Sequence, residues 1–137
     1  KADFRAGDFF PQINKMKAAN GRFDCVFVDP PIYSATKKGV VDLASSYTRI
    51  INKVRPLIND GGYLVAINNA LFYSGAEYMQ EIEALCADGY LSIAELIPVP
   101  EDFIGDAQPQ TATPVANPAP FNHATKIVML NVRRKMK

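Results

Sequence analysis

The stretch from Phe23 to Tyr33 (FDCVFVDPPIY) constrains the fold of this chain more than any other. Its first six residues are dominated by aromatic and β-branched side chains, a pattern typical of a strand buried on both faces of a parallel sheet. Asp29 follows at the carboxyl end of the strand, where ligands bind in open α/β sheets. Pro30 and Pro31 fix the backbone and remove two amide donors, so the turn is stiff. This predicts a rigid corner that holds a planar, amine-bearing substrate, and a simple proline turn with a capping Asp is the alternative.

Helix and strand patterns alternate along the rest of the chain. Apolar residues recur with helical or strand spacing, and turns containing Gly, Pro or Asn separate these patterns. The order predicts parallel strands joined by right-handed helical crossovers over one sheet. Residues 1–8 are predicted as a strand end, and the other predicted elements are a helix at 9–20, a helix from Asp42 to Leu57, strands at 63–67, 90–97 and 125–132, and a helix opened by the capping box of Ser74 and Glu77.

Composition sets limits on the partners and the compartment of the chain. Its 137 residues suffice for one domain with a core. The formal net charge of +1 gives no overall attraction to nucleic acid, so any such contact must come from local patches. Cys25 and Cys86 have neither metal-site spacing nor a secretory context, which predicts buried free thiols in a reducing compartment. Because no signal peptide and no apolar run of about 20 residues is visible, the chain is predicted to be soluble and cytoplasmic.

The region from 98 to 123 differs from the rest in composition. It holds six prolines among small polar residues, and this excludes helix and sheet interiors over most of its length. A loop of this length in a compact domain is usually functional or disordered.

Two motifs resemble those of a known enzyme family. The pattern Phe-Asp-x-(three apolar residues)-Asp-Pro-Pro-x-Tyr at 23–33 resembles the Asp-Pro-Pro motif of class I S-adenosylmethionine-dependent methyltransferases. The pattern Asn-Asp-Gly-Gly-Tyr-Leu-Val at 59–65 resembles the Gly-Gly turn before their next strand. Within that class, the chain resembles the large-subunit ribosomal RNA methyltransferases that modify cytosine at carbon 5 or guanine at a ring nitrogen. The resemblance implies an α/β fold, namely part of a Rossmann-like methyltransferase sheet, mostly parallel with an antiparallel C-terminal hairpin and with helices on both faces.

The resemblance also assigns roles around the proline corner. It implies that Asp29 and the carbonyl of Pro30 contact the methyl acceptor, with Pro31 beside them. It implies further that Tyr33 stacks on a base flipped out of its RNA, which makes RNA, in particular ribosomal RNA, the expected partner.

The cofactor implied by the resemblance is S-adenosyl-L-methionine. An acid at the position of Asp8 accepts a hydrogen bond from the adenine amino group in this family, so Asp8, Phe9 and Asp29 are the candidate cofactor-binding residues. A plain helix N-cap is the alternative role for Asp8. Methyl transfer from a sulfonium requires positioning and removal of a proton from the acceptor. No metal is expected, because no His or Cys cluster in the sequence suggests one.

The residues that follow the 63–67 strand bear on which atom is methylated. Methylation at carbon 5 of cytosine requires a thiolate, which the relevant family members carry at the end of this strand. Here Asn68 and Asn69 occupy that position, and neither Cys25 nor Cys86 is expected to reach it. The Asn pair resembles the members that methylate a guanine nitrogen, so a ring or exocyclic nitrogen is the favoured target, with Asn68 and Asn69 contacting base edges. A simple turn is the alternative role for the pair.

Three further groups are candidates for contact with RNA. Lys37 and Lys38 lie in the polar loop after Tyr33 and can contact phosphates, as can the basic tail at 133–137. A solvated surface is the alternative for the tail. His123 precedes the final strand and is a candidate to line the site, with a hydrogen-bonded surface His as the alternative.

The Gly-rich cofactor turn that opens such a domain, and the acid that follows it, are not found before Phe23. The chain is therefore interpreted as the C-terminal half of a class I methyltransferase catalytic domain, covering 1–137 and expected to be inactive alone. The missing first strand would lie beside residues 23–28 at the centre of the sheet, so a preceding half or a second copy is expected to cover that edge. Two alternatives are a methyltransferase for a small molecule or protein, and a non-catalytic α/β interaction module.

Overall fold

A computed structural model describes residues 2–31, 33–36, 39–42, 47–104 and 116–135, with only backbone pairing described for 33–36 and 39–42. In chain order the elements are helix α1 (Phe9–Ala18), strands β1 (Phe23–Val28), β2 (Tyr33–Thr36) and β3 (Gly39–Asp42), helix α2 (Tyr47–Val54) with a 3-10 turn (Arg55–Leu57), strand β4 (Ile58–Asn68), helix α3 (Gly75–Cys86), strand β5 (Leu91–Leu96), the one-turn helix α4 (Glu101–Ile104) and strand β6 (Lys126–Val132). No helix in these described ranges is long and apolar enough to cross a membrane.

Strands β1, β4, β6 and β5 form the main sheet, in that spatial order. Strand β1 is parallel to β4, and β6 is antiparallel to both β4 and β5. Three strands therefore run in one direction and β6 runs against them. This confirms the predicted α/β class, with a mostly parallel sheet and an antiparallel C-terminal hairpin. The sequence did not predict the antiparallel hairpin that β2 and β3 form.

The hydrophobic core lies on one face of this sheet. Leu64 and Ala66 of β4 are fully buried, and their cross-strand partners Leu130 and Val128 continue the apolar surface into β6. Helices α1, α2 and α3 contribute to the same apolar cluster, through Ile13, the group Tyr47, Ile50, Ile51 and Val54, and the group Tyr78, Ile82 and Leu85. The resemblance implies helices on both faces, and in the described ranges these three helices pack on the core face.

Strand β1 lies at the edge of the sheet and is largely exposed. Phe27 is 70% exposed and Phe23 41%, whereas Val28 is buried. The prediction that this strand is buried on both faces is wrong for this chain, because no described strand pairs with its outer edge and no described helix covers the side of Phe27. Cys25, predicted to be buried, is exposed, and Cys86 is half-buried; both thiols are free.

Strand β4 begins five residues earlier than the prediction of 63–67, and its pairing with β1 is irregular between Phe23 and Cys25. Gly61 has φ +75°, in the left-handed region that favours glycine. At Gly62 a Cβ atom would lie 2.7 Å from the carbonyl oxygen of Asp24 in β1. The two strands can therefore come this close only because residue 62 has no side chain. The Gly-Gly signal therefore marks a distorted start of β4 rather than a turn before it.

Other predicted boundaries hold in part. The capping box of Ser74 and Glu77 is present at the start of α3 and is confirmed. Residues 2–8 form no strand, so that prediction is wrong for the described residues. Asp42, predicted as a helix N-cap, is the last residue of β3, and α2 is described from Tyr47. The proline-rich region contains α4 and a described segment at 116–123, and its residues 105–115 lie outside the description.

Candidate active site

A cleft of about 1190 Å³ runs between α1, β1 and α2 with its 3-10 turn, on the open-edge side of the sheet. Predicted cofactor and acceptor residues lie together in its wall, although they come from separate parts of the sequence. The members of this group are Asp8, Phe9, Asp29, Pro30 and Pro31. The cleft also follows the outer side of β1, where it is lined by Phe23, Cys25 and Phe27. Site and open edge therefore form one continuous depression.

Asp8 occupies the N-cap position of α1 with extended backbone dihedrals, but its side chain makes no capping hydrogen bond. Only its backbone carbonyl is used, as it accepts from the amide of Gln12 at 3.2 Å. The alternative role of Asp8 as the helix N-cap is therefore confirmed for its position, although its side chain does not make the capping hydrogen bond. The exposed carboxylate remains beside the cleft and can accept hydrogen bonds from a ligand.

Asp29 is held by the residue that follows β4. Because β1 and β4 are parallel, their carboxyl ends lie at the same edge of the sheet, and the Asn69 side-chain amide donates to Oδ1 of Asp29 at 2.7 Å. This contact joins two predicted site residues that are far apart in sequence. A carboxylate has two oxygens, so the second oxygen of Asp29 can still accept from an N–H group.

Asn68, the other member of the predicted pair, has a different role. It is buried, and its Oδ1 accepts from the backbone amide of Ala70 at 2.8 Å. This is the turn-forming contact that was the alternative for the pair, and Asn68 does not line the cleft described here. Only Asn69 reaches the acid at the end of β1.

The remaining predicted site residues lie elsewhere or outside the description. His123 is half-buried, and its Nδ1 accepts from the amide of Thr125 at 3.0 Å in a local turn just before β6. It does not line the cleft. The backbone of Tyr33 begins β2, and its side chain lies outside the described part of the structure. Lys37 and Lys38 also lie outside the described residues.

Sequence reasoning included Phe9 but missed Phe10 and Arg49, which extend an aromatic and cationic group in the cleft wall. The rings of Phe9 and Phe10 meet edge to face at 5.1 Å, and the guanidinium of Arg49 lies 4.8 Å from the centre of the Phe10 ring. Arg49 comes from α2 and lines the cleft, which its sequence neighbourhood does not indicate. The cleft wall therefore offers an aromatic surface, two carboxylates and one delocalised cation.

Two buried tyrosines pack against the carboxyl end of β4, and one of them forms a hydrogen bond with its backbone. The hydroxyl of Tyr47 donates to the carbonyl of Ile67 at 3.1 Å and lies 2.9 Å from the hydroxyl of Tyr78. Burial is the main cause that raises the pKa of both Tyr47 and Tyr78, and the charge of Asp29 adds a smaller upward shift at Tyr47. Tyr47 was predicted only as an apolar member of a helix face, so its polar contact with the end of β4 was missed.

This arrangement favours binding and orientation of a flat ligand that carries hydrogen-bond donors.

No group of three or more His, Cys, Asp or Glu side chains that could hold a metal ion occurs among residues 2–31, 47–104 and 116–135. Cys25 pairs with Tyr63, five residues before Asn68, and at about 3.3 Å per residue this is roughly 16 Å from the end of β4. Its thiol is too far from that end to act there as a nucleophile.

Comparisons with known proteins support the resemblance stated from the motifs. The Bacillus subtilis protein YwbD, named as a ribosomal RNA large subunit methyltransferase, is 26% identical over 103 residues, which are 74% of this chain and 26% of YwbD. The ribosomal RNA large subunit methyltransferase K/L of Shewanella pealeana is 33% identical over 76 residues, which are 54% of this chain and 10% of that protein. The chain thus spans about a quarter or less of the length of these relatives. No family model matches the chain.

Solved structures agree on the fold. The crystal structure of SMU.776, described as a methyltransferase in complex with SAH, superposes with a TM-score of 0.70 at 19% identity, covering 92% of this chain and 30% of SMU.776. A SAM-dependent methyltransferase structure from Streptococcus mutans gives a TM-score of 0.63 at 18% identity with the same coverage. The chain therefore has the fold of part of such a methyltransferase domain.

Proposed function

We propose that this chain is the later half of the catalytic domain of an S-adenosylmethionine-dependent methyltransferase that modifies a base in ribosomal RNA. The observation that carries the proposal is the cleft in which Asp8, Phe9, Asp29 and the two prolines lie together. Sequence similarity to ribosomal RNA large subunit methyltransferases and the shared fold support it. The first half of the domain, which would carry the Gly-rich cofactor turn, would pair with the open edge of β1.

In this proposal the residues of the cleft divide into two groups. Asp8 would accept from the adenine amino group of the cofactor, and Phe9 would contact the adenine ring. Asp29 would accept a hydrogen bond from an N–H group of the base to be methylated and would favour loss of that proton. The Pro30 carbonyl and the Tyr33 ring would orient the base. The cofactor supplies an electrophilic methyl group when bound.

We favour a nitrogen of the base as the methyl acceptor. A nitrogen with a lone pair attacks the sulfonium methyl group directly, whereas carbon 5 of cytosine needs a thiolate adduct first. At the carboxyl end of β4 the chain has Asn68, Asn69 and Ala70, and Cys25 lies well before that end. The ammonium groups of Lys37 and Lys38 and the basic tail at 133–137 would add phosphate contacts, and the compartment would be the cytoplasm.

The direct test measures transfer of labelled methyl groups by the full-length protein. Ribosomal RNA stripped of modifications would be compared with a pool of small metabolites and with unmodified protein extract as substrates. The proposal expects label in RNA and, after digestion to nucleosides, in a nucleoside methylated at a ring or exocyclic nitrogen. Label in 5-methylcytidine contradicts the nitrogen assignment alone, whereas label only in metabolites or protein contradicts the RNA assignment.

Calorimetry of the full-length protein with S-adenosylmethionine tests the remaining alternative. Binding heat is expected, with loss of affinity when Asp8 is replaced by Ala. The non-catalytic interaction module predicts no binding heat at all, and that result would contradict the proposal at its base.

A further inference from the structure

The side chain of Lys126 is an unusual buried group at the edge of the sheet that carries the candidate site. The residue is only 1% exposed, and its Nζ donates to the carbonyl oxygens of Ala70 at 2.9 Å and Ala124 at 2.7 Å. Salt bridges among the described residues join Arg5 to Asp3 and Arg55 to Asp88, so Lys126 is buried there without a carboxylate partner.

Stability alone does not account for this lysine. Burying a cation without an opposite charge is costly, and an apolar side chain of similar length would avoid that cost. Burial lowers the pKa of Lys126, as expected for an ammonium group removed from water. The group instead satisfies two carbonyls, one two residues before it in sequence and one in the turn after β4.

That turn is the one that presents Asn69. Lys126 is the cross-strand partner of Asn68 in the β4–β6 ladder, so its ammonium lies at the carboxyl end of β4. On one side of Asn69, Asn68 is buried in the strand end. On the other side, Ala70 is buried, its amide donates to Asn68 Oδ1, and its carbonyl accepts from Lys126 Nζ and from the Tyr73 amide.

Asn69 is therefore fixed between two anchored neighbours while its own side chain extends to Asp29. The Asn69–Asp29 hydrogen bond is exposed and would compete with water without this support. Asn68, Ala70 and Lys126 carry no part of the cleft wall described above. The hydrogen bonds described here connect them to the site through the turn that holds Asn69.

We propose that Lys126 is a positioning residue of the acceptor site: its buried ammonium group holds the turn after β4 and thereby keeps the Asn69 amide on the Asp29 carboxylate. The inference rests on the proposed function only for its catalytic consequence. The structural part, coupling of Lys126 to the Asn69–Asp29 contact, stands or falls separately.

The structural part is tested by NMR of the side-chain amide of Asn69 in the full-length protein. Replacement Asp29→Asn removes the charged acceptor and gives the reference shift of the Asn69 amide resonances. We expect Lys126→Met to move these resonances in the same direction. The methyl resonances of Leu130 and Val128 should stay unchanged, which would show that the core is intact. The matched control, Lys53→Met, removes a lysine from α2 and should leave the Asn69 resonances unchanged.

Two further variants keep the test decisive. If Lys126→Met does not fold, Lys126→Gln, which is neutral and one heavy atom shorter, so that it cannot replace the ammonium group on both carbonyls, takes its place in the same measurement. Lys126→Arg retains the charge and the donors, so its Asn69 resonances should lie closer to those of the wild-type protein than the resonances of Lys126→Met do. Unshifted Asn69 resonances in folded Lys126→Met or Lys126→Gln would overturn the inference, even if the unfolding midpoint changed.

The catalytic consequence is read from the kinetics of methyl transfer. Misplacement of a reacting group by about 1 Å can cost on the order of 100-fold in rate, so kcat should fall about 10- to 100-fold in Lys126→Met. The dissociation constant for S-adenosylmethionine should stay within twofold, because Asp8 and Phe9 are not moved and Asp29 itself is retained. Equal losses in kcat and cofactor affinity contradict a positioning role. If the wild-type protein transfers no methyl group, the proposed function fails and the NMR result still decides the coupling.

Discussion

Two Asp–Asn pairs join β1 to β4, one near each end of the strands. Asn59 donates to Asp24 at 2.8 Å near the amino ends, and Asn69 donates to Asp29 at 2.7 Å just beyond the carboxyl ends. Both contacts are exposed, and both connect the same two strands. The chemistry of the pairs is therefore the same, and their surroundings differ.

The surroundings decide which pair can serve a site. Asp29 is followed by two prolines and lines the cleft, whereas Asp24 does not. In a parallel arrangement the loops that leave the carboxyl ends spread apart and expose their polar groups to a ligand. An Asp–Asn contact thus carries no function by itself, and the direction of the strands selects the pair that can act.

The largest expected difference between the pairs is in methyl transfer. Asp29→Asn should lower kcat/KM by about 100-fold or more, because an acceptor of a proton or an N–H bond contributes about 10² to 10⁴ in rate. Asp24→Asn, the matched control on the same strand, should leave the rate within about twofold. The measurement is labelled methyl transfer by the full-length variants. Equal losses in both variants would mean that only the integrity of β1 matters.

A smaller difference is expected for the two asparagines. Asn69→Ala should lower kcat about tenfold, because it releases the carboxylate that it orients. Asn59→Ala should have no effect on kcat. Steady-state kinetics with saturating cofactor measure both, and an effect of Asn69→Ala on cofactor affinity alone would contradict an orienting role.

The open edge between the two pairs can be probed with a thiol reagent. Exposed Cys25 on β1 should react severalfold faster than Cys86 in this chain, because burial, and to a lesser extent Asp88 and Glu83, raise the pKa of Cys86. A raised pKa leaves less thiolate at pH 7 to 8, so labelling of Cys86 should keep increasing with pH beyond the range of an ordinary thiol.

The same measurement on the full-length protein tests whether another part of the molecule covers β1. Mass spectrometry of labelled peptides should show Cys25 protected there relative to this chain, with the rate for Cys86 unchanged. Equal labelling of Cys25 in both would mean that the edge stays open.

The smallest expected effect is on stability, and it should not distinguish the pairs. Asn59→Ala and Asn69→Ala each remove one exposed hydrogen bond, and each should lower the free energy of unfolding by no more than about 1 kcal/mol. Urea unfolding of both variants measures this. A loss above about 2 kcal/mol for one variant alone would show that its pair is structural rather than merely exposed.

Much of the fold follows from local patterns in the sequence. The capping box at Ser74 and the alternation in β6 were sufficient to place α3 and the last strand, because both signals are short-range. The burial of β1 was not predictable in the same way. Its apolar residues indicate an inner strand, and whether they are covered depends on neighbours that local composition does not reveal.

The sequence was sufficient to identify the two acidic residues of the candidate site. It did not reveal which side chains contact them or support them. Asp29 follows from its position after an apolar strand, and Asp8 from the resemblance. The distinction between Asn68 and Asn69 depends on which of two consecutive side chains points into the protein, and the register of β4 with β6 decides that. Arg49 and Lys126 reach the region through tertiary packing alone, so no local pattern marks them.

The position of β6 has a consequence for how the chain is assembled during synthesis. Of the described strands, β5 pairs only with β6, which is made later and lies between β5 and β4. While residues 126–132 are still inside the ribosome, β5 has no described strand with which to pair. Helix α3 then has only part of the sheet to pack against. Premature termination before residue 126 would therefore remove two strands from the sheet instead of one, together with the ammonium group under the turn after β4.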